Sequence, residues 1–116
     1  MTSMKSFYKF NAGEIVLVQF PFTNLSAKKV RPALIICDDD NADVLVAPIS
    51  TVVNAGRDDT TLINADYKTV PLPAVSCVRY KKLFTLDKSL ILKKVSELKQ
   101  KTLKQIKQKI INFIQR

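Results

Sequence analysis

Glu14-Ile-Val-Leu-Val-Gln-Phe20, then Arg31-Pro-Ala-Leu-Ile-Ile-Cys37, then Val44-Leu-Val-Ala-Pro-Ile49 decide the fold class. Each run is short, β-branched and apolar, and each is bounded by turn-forming or charged residues, the pattern of a buried strand. Between the first two lie Pro21 and the polar stretch Thr23-Asn-Leu-Ser-Ala-Lys-Lys29, which predicts a long exposed loop. Pro32 stands at the opening of the second strand, one of the few strand positions that tolerates a missing N–H. That strand stops at the acidic cluster Asp38-Asp-Asp-Asn-Ala-Asp43, and Ser50-Thr51 stand where the third ends.

Further along, the polar residues from Asn54 to Asp59 include Gly56 and predict a turn or loop before Thr60-Thr-Leu-Ile63. After Pro71-Leu-Pro73, residues 74–80 predict another strand, Asp87 to Leu90 a short turn, and residues 92–98 a further strand. The period then changes. Leu103, Ile106, Ile110 and Phe113 or Ile114 recur at spacings of three and four, which predicts one amphipathic helix closing the chain. Lysines 101, 104, 107 and 109 occupy its other positions, leaving a basic face to water or a ligand. Lys99 and Gln100 precede it, so no ordinary capping side chain marks its start. Five or six short strands with long loops and a terminal helix make a mainly β fold, a small curled antiparallel sheet or barrel.

The chain is 116 residues, the size of one domain spanning residues 1–116. At 47% hydrophobic and 25% charged, with two glycines and five prolines, it buries enough apolar surface to fold unaided. Its longest apolar run, Ala33 to Cys37, is far short of the roughly 20 residues a membrane-spanning helix needs, and the N-terminus lacks the pattern of a secretory signal. A cytoplasmic location is expected, with Cys37 and Cys77 as reduced thiols within strands.

Histidine is absent altogether. Histidine-based triads, HExxH zinc sites and histidine acid–base pairs are thereby excluded. Two distant cysteines make no structural zinc site, and two glycines build no phosphate-cradling glycine loop. Any catalysis falls to arginine, lysine, serine, threonine, tyrosine or carboxylates.

The net charge of +9 is unevenly placed. Residues 1–78 hold 7 basic and 8 acidic side chains, a net of −1, whereas residues 79–116 hold 12 basic and 2 acidic, a net of +10. Such a field draws polyanions, RNA or DNA foremost and acidic proteins as well, although helix lysines also serve solubility alone.

Several segments together resemble a known family. Gly13-Glu-Ile-Val-Leu-Val-Gln-Phe-Pro21, a variable loop, Arg31-Pro-Ala-Leu-Ile-Ile36 and Val46-Ala-Pro-Ile-Ser-Thr51 match in order and spacing the PemK/MazF (Kid-like) toxins of type II toxin–antitoxin systems. Ala74-Val-Ser-Cys-Val-Arg79, Lys82-Leu-Phe-Thr-Leu-Asp-Lys88 and the terminal helix extend the resemblance over nearly the whole chain. It implies an SH3-like β-barrel with a C-terminal helix, usually a homodimer. The implied activity is a metal-independent endoribonuclease, without cofactor, that cuts single-stranded mRNA. The implied partner is a cognate antitoxin with an acidic, disordered tail.

The resemblance places the family's key arginine on Arg31 and its hydroxyl residue on Ser50, with Thr51 beside it. A later strand position that is acidic in several members carries Ser76 here, which leaves the acid–base assignment open. Lys28 and Lys29 supply further charge for RNA, with Phe22, Ser76 and Arg79 completing the candidate contacts. Cleavage through the substrate's own 2′-hydroxyl requires stabilisation of charge on the phosphorane oxygens, and arginine's planar fork is suited to that task. By composition alone, Arg31 reads equally as a surface ion-pair partner and Ser50-Thr51 as turn chemistry. Two alternatives share these features: a non-catalytic basic barrel that binds nucleic acid or poisons a topoisomerase, and a degenerate toxin that keeps only antitoxin binding.

Overall fold

A computed structural model describes residues 8–20, 29–53 and 58–116. The elements are strands β1 (Glu14–Phe20), β2 (Lys29–Asp38), β3 (Asp43–Ser50), β4 (Thr60–Leu62), β5 (Ser76–Val78), β6 (Phe84–Asp87) and β7 (Ile91–Glu97), then helix α1 (Gln100–Ile114). Single 3-10 turns cover Asn64–Asp66 and Lys88–Leu90. The strands form one antiparallel sheet in the order β4-β5-β3-β2-β1-β7, with β6 also paired to β3. β3 therefore changes partner along its length: Asp43 to Val46 pair with β6, and Ile49 and Ser50 pair with β5.

The mainly β architecture with a closing helix matches the expectation from the apolar runs. The strand count differs, seven against the five or six expected. Phe84–Asp87 is an additional strand, and the strand expected over 74–80 contracts to Ser76–Val78. Both cysteines are free thiols on strands, Cys37 exposed and Cys77 buried. Among the described residues no helix is long and apolar enough to cross a membrane.

The sheet has two apolar faces, which explains why Ala33 to Ile36 are all buried. Leu34, Ile36, Ala47, Ile49 and Val78 pack with Ile106 and Ile110 of the helix. On the other face Ala33 and Ile35 pack with Val16, Val18, Val44, Val46 and Leu86. Each fully buried aliphatic side chain contributes about 1.5–3 kcal/mol, so both faces hold the sheet closed. Gly13, at φ +97°, joins the layers: its N–H donates to the Ile35 carbonyl and its carbonyl accepts from Leu98. A Cβ there would lie 3.3 Å from Leu103.

The helix start, unmarked in the sequence, has no side-chain cap on its N–H groups and is tied down from a distance instead. Asp66 accepts a hydrogen bond from the Thr102 hydroxyl at 2.9 Å through its side chain, and one from the Lys99 N–H through its carbonyl. This brings a carboxylate to the positive end of the helix.

Candidate RNA-binding site at the sheet end

Arg31 lies two residues before Ala33, and Ala33 pairs with Pro48. Carrying that register on by two residues sets Arg31 opposite Ser50. Side chains alternate between faces along a strand, so Arg31, Ser50, Cys77 and Arg79 share the face turned away from the helix, in step with Ala33, Ile35 and Val46. The sheet thus gathers residues far apart in sequence at one end of β2, β3 and β5.

An open groove of about 320 Å³ is lined by Lys29, Arg31 and Thr51 with Val30, Pro32 and Ile49. Arg31 and Lys29 are exposed, and among the described residues neither has a carboxylate within ion-pair distance. Ser50 lies beside the groove, half-buried, and its Oγ accepts the Val52 N–H at 3.0 Å. That bond makes a local turn and leaves the hydroxyl proton available to donate.

Ser76 departs from the candidate contacts. It is 2% exposed, and its hydroxyl donates to the Ala74 carbonyl at 2.9 Å. Its position in β5 turns it toward the helix side, so the hydroxyl is not offered to the groove. Arg79 is half-buried just after β5, held by its N–H to the Pro48 carbonyl, with its Nε 3.9 Å from Asp59 Oδ2. Lys28 and Phe22 lie outside the described residues.

Asp59 is the residue that the sequence did not single out. Only a polar loop was legible there, yet its carboxylate lies against Arg79 and 3.5 Å from Cys77 Sγ. Thr60 pairs with Val78, so Asp59 falls opposite Arg79 by one further step of register. At 3.9 Å the carboxylate attracts the guanidinium by charge, without a hydrogen bond to Nε.

A larger groove of about 520 Å³ lies elsewhere, beside Phe10, Lys88 and Lys94. Three of its four lining lysines are paired, Lys94 with Glu14 and Glu97, Lys9 with Asp40 and Lys88 with Asp38, while Lys93 has no ion pair among the described residues. The sheet-end groove is smaller but carries uncompensated positive charge.

The family model of PemK-like, MazF-like toxins of type II toxin–antitoxin systems matches residues 11–114. Among solved structures, a Mycobacterium tuberculosis toxin, MazF-mt6, is similar at 20% identity and TM-score 0.66, over 85% of this chain and 93% of that one. A MazE–MazF structure from Deinococcus radiodurans is similar at 18% identity and TM-score 0.75, over 92% and 96% of the two chains. An endoribonuclease in complex with its cognate antitoxin from a mycobacterial species is similar at 16% identity and TM-score 0.64, over 87% and 88%. A comparison with curated proteins finds no significant match. With the family's model covering nearly the whole sequence, the chain belongs to the PemK-like, MazF-like toxins of type II toxin–antitoxin systems.

Proposed function

We propose that this toxin is an endoribonuclease that cleaves single-stranded mRNA in the cytoplasm by way of the substrate's own 2′-hydroxyl. The observation that carries this reading is the exposed, uncompensated guanidinium of Arg31 opening with Thr51 onto one groove. The nucleophile belongs to the RNA, so the protein's work is to orient the phosphate and stabilise the charge that grows on its oxygens.

Arg31 takes the second part. Its planar fork accommodates two phosphate oxygens at once, which suits it to charge stabilisation rather than to proton transfer. Thr51 and Ser50 position the phosphate or the 2′-hydroxyl by hydrogen bonds, Lys29 adds field strength, and Arg79, steered by Asp59, meets a neighbouring phosphate. The leaving group is a 5′-hydroxyl. An antitoxin with an acidic disordered tail would neutralise the same charges, which fits the MazE–MazF and endoribonuclease–antitoxin structures among the fold's neighbours.

A homodimer belongs to the same reading. Val52, Ile63 and Val75 are 59%, 62% and 65% exposed. They continue β3, β4 and β5 beyond the site, with the Val52 carbonyl 3.6 Å from Cys77 Sγ. Exposed apolar residues clustered next to a polar site suit a protein interface. Light scattering should give twice 13.1 kDa, and Val75→Lys should halve it.

The deciding experiment incubates the purified toxin and its Arg31→Ala variant with a long unstructured RNA in EDTA and maps the fragment ends. Cuts by wild type alone, at a recurring short sequence with 5′-hydroxyl ends, are expected. Intact RNA in both reactions would overturn the nuclease reading.

A further inference from the structure

A second basic feature stands on the helix side of the same strand end, between the turn at Tyr80–Lys82 and the last turn of α1. There a pocket of about 350 Å³ brings together Asp58, Tyr80, Lys81, Lys109, Phe113 and Arg116. Lys81 Nζ stands 5.4 Å from the Phe113 ring centre and 5.8 Å from that of Tyr80, and Lys109 Nζ lies 5.7 Å from the Tyr80 ring. The one carboxylate among these six residues is already engaged: Asp58 accepts the Tyr80 hydroxyl proton at 2.5 Å and pairs with Lys81 at 3.6 Å. Three side-chain cations against one committed side-chain carboxylate surround two aromatic rings. Burial of the Tyr80 phenol and its bond to Asp58 hold its pKa up at about 12, so it stays a neutral hydrogen-bond donor.

Position ties this pocket to the groove. Arg79 and Lys81 are two residues apart in the turn that the Lys82 N–H closes on the Arg79 carbonyl at 3.0 Å, and the adjacent carboxylates Asp59 and Asp58 pair with the two sides separately. A polyanion held at Arg79 meets Lys81 next.

We propose that this pocket is a subsite for a nucleotide flanking the cleavage position, its phosphate held between Lys81, Lys109 and Arg116 and its base laid against Phe113. The proposal rests on the single-stranded RNA reading above. An acidic peptide would satisfy the same cations. The ring favours RNA: Phe113 is 37% exposed at the wall of a cationic pocket, where any base can stack without sequence preference.

The test measures binding of a single-stranded oligonucleotide with 2′-deoxy sugars, which cannot be cut through a 2′-hydroxyl, across a range of salt. Wild type should show log affinity falling linearly with log salt. The double variant Lys109→Gln/Arg116→Gln should lower that slope by about 0.7, the contribution of one phosphate contact on a single strand. Phe113→Ala should weaken binding roughly five- to hundredfold. On cleavable RNA both should raise KM and leave kcat unchanged. Lys109 also donates to Thr60 at 3.0 Å, so Arg116→Gln alone, at the exposed helix end, keeps the test open if the double variant is loosened.

The outcomes separate cleanly. No salt-dependent binding by wild type overturns the RNA reading itself. Salt-dependent wild-type binding with unchanged variant slopes and affinities overturns the subsite alone. Variants that keep RNA but lose poly-glutamate binding mark a peptide site and also overturn it.

Discussion

Two arginine- or lysine-centred regions of this toxin treat charge in opposite ways. Near the start of β1, Lys88 and Asp38 form an ion pair at 3.0 Å with side chains only 4% and 1% exposed. Asp38 also accepts the N–H groups of Phe10 and Asp40 at 2.7 and 2.8 Å. At the other region Arg31 is exposed, with no carboxylate beside it among the described residues. The first has every charge answered from within the chain, and joins the N-terminal residues to the turn before β7. The second leaves its charge for something else to answer. Compensation thus sets the Lys88–Asp38 pair apart from Arg31, while Arg79, beside Asp59, stands between the two.

That contrast is broken most directly at its two centres. Arg31→Ala should lower RNA cleavage by about 10²–10³-fold, the usual cost of removing one preorganised charge-stabilising donor, while thermal unfolding stays within about 0.5 kcal/mol of wild type. Loss of stability comparable to the loss of cleavage would mean that Arg31 is structural. Lys88→Ala should do the reverse, costing about 3–5 kcal/mol in denaturant unfolding because Asp38 is left buried without its cation. Cleavage by the folded fraction should be unchanged.

The Asp38 carboxyl sharpens the same contrast through pH. Burial alone would raise its pKa, but the Phe10 and Asp40 N–H groups and Lys88 outweigh that and hold it below the ordinary 3.8. The native state then binds fewer protons than the unfolded chain between the two values. This contribution is whole above pH 3.8 and is lost as pH falls through the lower, folded value. Asp38→Asn should flatten the acid limb of the stability profile, measured by urea unfolding at a series of pH values. An unchanged acid limb would remove Asp38 as its source.

What the sequence made legible follows from range. β1, β2 and β3 are apolar runs whose identity is local, and so is the period of α1. β6 was missed because Phe84-Thr-Leu-Asp87 is four residues long, and its strand character comes from pairing with Asp43 to Val46. The tie at the helix start was missed because Asp66 lies 36 residues from Thr102 in the chain. At the candidate site, motif order singled out Arg31 and Thr51, which line one groove. Asp59 was not, because an aspartate in a polar loop gains meaning only when β4 sets it against Arg79. Ser76 was misjudged for the opposite reason: its neighbours in sequence suggest the site, while strand alternation turns its hydroxyl inward to Ala74.

Asp59 gives the next smaller effect. If it steers Arg79 toward RNA, Asp59→Asn should cut kcat/KM roughly ten- to hundredfold, and Asp59→Glu should recover part of that loss. An unaltered rate in Asp59→Asn would reduce the pair to surface electrostatics.

Tyr80 tests the middle ground, where a buried phenol leans on an exposed carboxylate. Burial first, and then the bond to Asp58, raise its pKa from 10.0 to about 12. The neutral phenol is the form that the fold favours, so the native state keeps its proton where the unfolded chain has begun to release it. The contribution is whole below pH 10 and is lost as pH rises through about 12. Tyr80→Phe should flatten that alkaline decline while leaving neutral-pH RNA cleavage at the wild-type rate, since the ring that carries Lys81 and Lys109 remains. A decline that persists in the variant would assign the alkaline limb to other groups, and a loss of cleavage at neutral pH would show that the Tyr80–Asp58 bond shapes the loop bordering Arg79 as well as the helix contact.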